Sequence, residues 1–363
     1  MKILFVVEHY HPYIGGVEKL FLNLCESLAK KGHEPIVVTT KHSVELADQE
    51  FHNGVQVYRL PLKNRFLFTF FGWPWIMKYA KGVDLVHTTS YNAALPAFII
   101  AKLYNKKSII TFHEVWGKLW FQVPMLSNIQ RIVYATYERF ILLFHFSKYV
   151  AVSQYTSNEL AKYSFIRNRR TTILNGIENS DFPLSWVAPN NKKFTYTFFG
   201  RLGVSKGITI MVEGAAKFNS KFKDAHFNFV LPKYPTAMRG KVLELIKEVN
   251  LTNYTLHHEL DRTELNALLL KSDCVVVPSY SEGFGYSAVE CCAMGIPLIS
   301  SEKGSLSEVT SGKVIAMTDT TGETVFEALV KAKNNQWENR PRKEFHLKDT
   351  VSNYIKLYEE LIG

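Results

Sequence analysis

The chain has 363 residues, of which 47% are hydrophobic and 21% charged. At about 100–200 residues per domain this is the length of two domains, each able to bury a core, which excludes both a single small binding module and a disordered chain. The net charge of +10 is concentrated in the first half: residues 1–180 hold 21 Lys+Arg against 12 Asp+Glu, and residues 181–363 hold 22 against 21. That asymmetry suits a polyanionic partner for the first half, either nucleic acid or an anionic membrane surface.

Met1-Lys2-Ile3-Leu4-Phe5-Val6-Val7-Glu8 is too short an apolar run for a signal-peptide core and predicts a first strand. The apolar stretch Ile132–Phe146 is interrupted by Glu138 and Arg139, so no run approaches the roughly 18 apolar residues that span a bilayer, and no transmembrane helix is expected. Cys25, Cys274, Cys291 and Cys292 have no C-x-x-C spacing and fall in predicted strands and helices, as free buried thiols do. A reducing, cytoplasmic compartment fits that usage.

Short β-branched runs alternate with amphipathic segments through the first half: strand Ile3–Val7, helix Val17–Lys31, strands Ile36–Thr40 and Val83–Thr88, a helix near Asn92–Tyr104, and strand Ser108–Phe112. A long helix at Ser127–Phe146, strand Tyr149–Val152, helix Thr156–Tyr163 and strand Thr171–Leu174 follow. This is the pattern of βαβ units on a parallel sheet. Glu178–Lys193, with two prolines and three asparagines, reads as linker. The alternation then restarts with strands Tyr196–Phe199, His226–Leu231, Tyr254–His258, Cys274–Pro278, Pro297–Ser300 and Val314–Met317. Asp261-Arg262-Thr263-Glu264 has capping-box spacing, and a last helix, Leu347–Leu361, follows a polar stretch. The expected fold is α/β with two doubly wound Rossmann-like domains, 1–180 and 194–340, joined by a linker at 181–193. A C-terminal segment, 341–363, is free to pack back on the first domain. Such sheets carry ligands at the carboxyl ends of their strands, so a cleft between the domains is the expected site.

The chemistry concentrates in Cys274–Glu308. A strand ends at Pro278, a loop carries Glu282-Gly283-Phe284-Gly285, and a helix runs to about Met294, with Glu290 inside it. Glycines at a helix mouth let backbone N–H groups approach a phosphate, and two carboxylates there suit the hydroxyls of a nucleotide sugar. Gly283-Phe284-Gly285-Tyr286-Ser287-Ala288 also matches G-x-G-x-x-A, with Glu302 near the distance of a ribose-binding acid. In a dinucleotide fold, however, that fingerprint starts directly at the strand end, and here four residues intervene. Phe199–Gly207 (FGRLGVSKG) places Arg201 and Lys206 on a glycine-rich turn after the first strand of the second domain, where two cations suit a diphosphate.

Five motifs in order now resemble the retaining glycosyltransferases of family 4, which have the GT-B architecture. They are Gly15-Gly16-Val17-Glu18-Lys19, Thr111-Phe112-His113-Glu114, Leu174-Asn175-Gly176-Ile177-Glu178, Gly200–Gly207, and Glu282 and Glu290 with seven residues between them. The resemblance implies that Arg201 and Lys206 neutralise the donor diphosphate, helped by N–H groups at Gly283, Phe284 and Gly285 and by the Gly15-Gly16 loop. It implies that Glu290 holds ribose hydroxyls, that Glu282 holds donor-sugar hydroxyls, and that His113 sits beside the sugar. No D-x-D occurs, so no metal and no other cofactor is expected, and preorganised positive charge takes the metal's place. The remaining histidines, including His257-His258, read as structural or solvated.

The sequence departs from the family at Leu231-Pro232-Lys233-Tyr234-Pro235, around His257-His258-Glu259, and at Lys303–Glu308, where one glycine stands in place of two. The first two put the nucleobase in doubt, and the third bears on the sugar pocket. Residues 63–81 (KNRFLFTFFGWPWIMKYAK) hold seven aromatics and four basic residues without an acid, and Phe112, Trp116, Trp120 and Phe121 add to them. Interleaving of that kind suits a peripheral contact with an anionic membrane, although a core helix with surface lysines accounts for it as well. The membrane reading implies a lipid-linked acceptor. Two rivals stay open: an epimerase of the same fold, and a non-enzymatic nucleic-acid binder, which leaves Arg201, Lys206, Glu282 and Glu290 unexplained.

Overall fold

The computed structural model describes residues 1–13, 15–62, 64–124, 126–190, 193–233, 236–258 and 260–363. It divides into two compact units, one made of Met1–Gln122, Ser127–Gly176 and His346–Gly363, the other of Val123–Leu126 and Ile177–Phe345.

The first unit contains β1 (Lys2–Val6), α1 (Gly16–Lys30), β2 (Glu34–Thr40), β3 (Gln49–His52), β4 (Val55–Leu60), α2 (Arg65–Phe71), α3 (Trp73–Ala80), β5 (Leu85–Thr89) and α4 (Ala94–Leu103). It continues with β6 (Lys107–Phe112), α5 (Asn128–Ile141), β7 (Lys148–Ala151), α6 (Gln154–Leu160), α7 (Ser164–Arg167) and β8 (Arg170–Thr172). The sheet order is β3-β4-β2-β1-β5-β6-β7-β8, parallel except for the β3–β4 hairpin, with Phe5 facing Val37 on one side and His87 on the other. Strands covered on both faces read as unbroken apolar runs, and Ile3, Leu4, Phe5 and Val6 are fully buried. On α1, Leu20, Phe21, Leu24, Cys25 and Leu28 recur at helical spacing and are all buried.

The second unit contains β9 (Thr195–Phe199), α8 (Ile208–Lys221), β10 (His226–Val230), α9 (Thr236–Glu248), β11 (Tyr254–His257), α10 (Arg262–Leu270) and β12 (Cys274–Val277). After these come α11 (Tyr286–Met294), β13 (Leu298–Ser300), α12 (Leu306–Val309), β14 (Gly312–Ala316), α13 (Gly322–Lys333) and β15 (Glu338–Arg340). Its sheet order is β11-β10-β9-β12-β13-β14-β15, parallel except for β15 at the edge. Asp261 and Glu264 form the capping box that opens α10.

Two boundaries differ from the sequence expectation. The chain passes between units at Gly176–Ile177 rather than at 180, and the stretch read as linker belongs to the second unit. Trp186 explains this: its Nε1 donates to Ser272 O at 3.0 Å and its N to Met294 O at 3.0 Å. The polar stretch before the last helix contains β15 and remains in the second unit as far as Phe345, while His346–Gly363 belongs to the first. There α14 (Leu347–Ile362) buries Thr350, Val351, Tyr354, Leu357 and Tyr358 in the core shared with α1.

Because the strands are nearly all parallel, the loops after β1, β2 and β6 gather on one edge of the first sheet, and those after β9, β12 and β13 on one edge of the second. These edges are where open α/β sheets hold ligands.

Candidate active site

In the second unit the two motifs read from the sequence come together. The turn after β9 leads through Gly203 and a 3-10 turn at Val204–Lys206 to Gly207, and Ser205 O accepts a 2.7 Å hydrogen bond from Tyr280 N, which ties this turn to the loop after β12. Gly207 has φ +68°, and a Cβ on it would lie 2.0 Å from Pro278 O, so only glycine fits the crossing. Lys206 Nζ then donates to both carboxylate oxygens of Glu282, at 2.7 and 2.9 Å. Ser279 Oγ donates to Glu282 Oε1 at 2.8 Å. Glu282 is held from behind as well: its main-chain O accepts from Ser305 N (2.9 Å) and Ser305 Oγ (3.0 Å). Gly304 packs so close that a Cβ would lie 2.3 Å from the same oxygen. The Lys303–Glu308 segment is therefore the back wall of the Glu282 loop.

Gly283, Phe284 and Gly285 are buried, and the Phe284 ring packs edge-on against Tyr286 and Phe345, so its side chain is taken up by packing. Gly285 is the N-cap of α11, in the left-handed region and without a side-chain cap bond, which leaves the helix mouth to backbone N–H donors. Glu290 is buried on α11, and its Oε2 accepts from Arg262 Nη1 at 2.9 Å. The Arg262 guanidinium in turn lies 5.2 Å above the Phe182 ring. The Arg201 guanidinium is exposed and makes no hydrogen bond or ion pair with the described residues. The polar groups at these strand ends thus comprise one open cation, one cation paired with a carboxylate, and a second carboxylate held by an arginine.

Three parts of this arrangement were missed in the sequence: Ser279, Ser305 and Arg262. Arg262 left a signal, because a cation in the first turn of a helix opposes the helix dipole and calls for a local anion. Glu302, the rival ribose acid, accepts from Arg340 Nη1 (2.8 Å) and Thr310 Oγ1 (3.2 Å) and stands at φ +56°. His257 pairs with Asn228, and His258 with Leu231 O and Arg239. Tyr234, Pro235 and Glu259, in the two departing loops, lie outside the described residues, as does Lys63.

In the first unit Gly15 caps α1 and Gly16 opens it. His113 follows β6 directly, is half-buried, and packs 6.4 Å from the Phe21 ring of α1, so the Gly15-Gly16 helix and the histidine strand end are neighbours. The segment at 65–81 forms α2 and α3; Phe68, Ile76 and Ala80 are buried, while Phe66, Leu67, Phe70, Phe71 and Trp75 are exposed. The segment is therefore part core and part exposed aromatic surface. Burial pushes the thiols of Cys25, Cys274, Cys291 and Cys292 up, away from thiolate chemistry. Among the described residues, no three His, Cys, Asp or Glu side chains converge as a metal-holding group. No helix among them is long and apolar enough to cross a membrane.

Residues 14–181 match the sequence profile described as Glycosyltransferase Family 4, and residues 186–342 that described as Glycosyl transferases group 1. The GDP-mannose:cellobiosyl-diphosphopolyprenol alpha-mannosyltransferase of Xanthomonas oryzae pv. oryzae is 23% identical, over 100% of this chain and 98% of its own length. The glycogen synthase of Mycobacterium tuberculosis is 25% identical over 85% of this chain and 80% of its own. Among solved structures, sucrose-phosphate synthase from Thermosynechococcus elongatus superposes with a TM-score of 0.83 at 20% identity, covering 99% of both chains. With matching profiles over both halves and two parallel-rich sheets of the expected α/β kind, the chain belongs to family 4 of the glycosyltransferases, with the GT-B fold.

Proposed function

We propose that this glycosyltransferase works with retention, moving a sugar from a nucleoside-diphosphate sugar to a hydroxyl of a glycan or lipid-linked acceptor, without a metal, at an anionic membrane surface. The reaction belongs with the synthesis of cell-envelope polysaccharide, lipopolysaccharide or glycolipid. The observation that carries this reading is the Lys206–Glu282 pair at the mouth of α11, with Ser279 on the carboxylate and Arg201 open on the same turn.

In this mechanism the donor diphosphate draws Lys206 toward its own oxygens and meets Arg201 and the α11 N–H groups, so positive charge is in place where the leaving group develops negative charge. Glu282 then accepts from hydroxyls of the donor sugar, and Glu290, fixed by Arg262, accepts from the ribose. The bond between the anomeric carbon and the phosphate oxygen breaks, the acceptor oxygen bonds to that carbon on the same face, and the acceptor proton passes to the departing phosphate oxygen. The family resemblance assigns His113 to the sugar and Gly15 and Gly16 to the phosphate. Residues 65–81 rest on the membrane through exposed aromatics and basic side chains.

The test is the anomeric configuration of the first-formed product by proton NMR, with and without EDTA. Retention that is indifferent to EDTA is the expected result. Inversion, an EDTA-sensitive rate, or donor turnover without an acceptor overturns the reading, the last in favour of epimerase chemistry.

A further inference from the structure

In the first unit, a cavity of about 330 Å³ at the carboxyl ends of β1 and β2 is lined by Glu8, His9, Thr40, Asn64, Arg65 and Phe66, within the size range of small-molecule sites, roughly 300–1,000 Å³. Glu8 is firmly placed. Its main-chain O accepts from Thr39 Oγ1 (2.9 Å) and Thr40 Oγ1 (2.6 Å), and its Oε2 from Asn92 Nδ2 (2.6 Å). Its Oε1 faces Arg65 Nε at 3.2 Å and His9 Nε2 at 3.6 Å. The His9 ring stacks on exposed Tyr13, with centroids 4.2 Å apart and planes at 15°, and His42 closes on both edge-on. A carboxylate, an amide and a hydroxyl beside an aromatic platform suit a ring bearing several hydroxyls, and the partly exposed guanidinium suits a phosphate on that ring.

The rim of the cavity is apolar. Phe66 lies in the first turn of α2, on which Leu67, Phe70 and Phe71 are also exposed. On α5, Ile129, Ile132, Val133 and Phe140 are exposed, with Leu143 in the turn after it, and Ile129 is 76% exposed. At 100° per residue these five positions lie along one side of the helix, opposite the buried Ala135, Glu138 and Ile141. The two helices meet beside the cavity on neighbouring residues: Tyr137 of α5 donates to Tyr91 O at 3.2 Å, and Thr69 of α2 donates to the O of Asn92, whose side chain holds Glu8, at 3.1 Å. Between residues 115 and 147 the only acid is Glu138, which is buried and accepts from Trp116 N and Gly117 N, whereas Lys118 and Arg139 are exposed. An apolar face of this extent, edged with cations and without an exposed acid, complements an anionic bilayer.

We infer that this cavity is the acceptor headgroup site, that it takes a phosphate-bearing polyol ring, and that the ring is carried on a lipid whose bilayer the α2 and α5 faces contact. The inference rests on the glycosyl-transfer reading and narrows its acceptor. Glu8 and Asn64 bind ring hydroxyls, the His9–Tyr13 stack takes a C–H face of the ring, and Arg65 turns from Glu8 to the phosphate.

The experiment has two arms on the full chain. In calorimetric titrations, myo-inositol 1-phosphate and glucose 6-phosphate should bind, myo-inositol and glucose should bind at least tenfold more weakly, and Arg65→Gln should weaken the phosphorylated probes by about 10- to 100-fold. Failure of both phosphorylated probes, or an Arg65→Gln affinity equal to wild type, overturns the headgroup site. In co-sedimentation, the protein should bind phosphatidylcholine vesicles containing phosphatidylglycerol, and Ile132→Ser with Phe140→Ser, both at exposed positions, should weaken that binding about tenfold. Unchanged binding overturns the lipid-carried acceptor and leaves a soluble phosphorylated glycan in its place. Nucleoside-diphosphate titrations of the same samples separate the two claims: if these bind and the headgroup probes do not, only this inference fails, and if no nucleotide binds, the transfer reading fails.

Discussion

Lys206 gives one hydrogen bond to each carboxylate oxygen of Glu282, at 2.7 and 2.9 Å, although 76 positions separate them in the chain. With side chains only 21% and 10% exposed, the two groups hold each other in place, and in the proposed mechanism the same two groups turn to the diphosphate and the sugar. This pairing links the loop after β9 to that after β12.

Lys206→Ala should lower kcat by about 10²–10³-fold, the scale of losing one preorganised donor to developing charge. It also leaves Glu282 with Ser279 alone, which should cost about 1–3 kcal/mol of stability. Glu282→Gln keeps the shape and should lose activity with a smaller stability change. Steady-state kinetics beside thermal melts check both, and full activity in either variant contradicts the site.

Arg262→Ala removes one partner of Glu290 and should weaken nucleoside-diphosphate binding about tenfold, the value of a charge-assisted hydrogen bond. The effect should fall on KM for the donor more than on kcat, because the ribose lies away from the reacting carbon.

Gly207→Ala places a methyl against Pro278 O at a φ of +68° and should destabilise by more than the ~1 kcal/mol of the left-handed conformation alone. Because Lys206 precedes it, kcat should fall with stability. Gly82, at φ +76° with nothing within 4 Å of an added Cβ, is the control that carries backbone strain without the clash.

His87 tests how the last helix is held. Its Nδ1 meets Tyr358 Oη and its Nε2 meets Thr111 Oγ1, each at 2.8 Å, and Thr111 Oγ1 meets Tyr354 Oη at 3.0 Å. Burial, and secondarily the charge of His113, lower its pKa to about 3. The unfolded chain then binds the proton first as pH falls, so the His87 contribution is fully present above about pH 6.5 and is lost progressively between there and about pH 3. The melting temperature of wild type minus that of His87→Gln should decline across that window. A flat difference contradicts the assignment.

What was legible in the sequence was local. The apolar spacing of α1, the strand runs beside it, the Asp261–Glu264 capping box and the Glu282–Gly285 loop each declare themselves within a dozen residues. What was not legible depends on chain segments meeting. Glu290 and Arg262 are 28 positions apart and His87 and Tyr358 are 271 apart, and no periodicity reports such pairs. The β3–β4 hairpin was missed despite its Asn53-Gly54 turn, with φ +48° and +85°, a standard hairpin signal. The edge strand β15 was missed because its residues, Glu338-Asn339-Arg340, are polar and pair on one side only. The exposed apolar side of α5 was missed because spacing marks an apolar stripe without saying whether core or solvent faces it.

The most direct measurement is calorimetric titration of wild type and Lys206→Ala with UDP, GDP, ADP and CMP, each with and without EDTA. One nucleoside diphosphate should bind wild type equally in both buffers, and Lys206→Ala should weaken it by about 10- to 100-fold. Equal affinity in the two proteins, or no nucleotide bound by either, would contradict a donor site built on the Lys206–Glu282 pair.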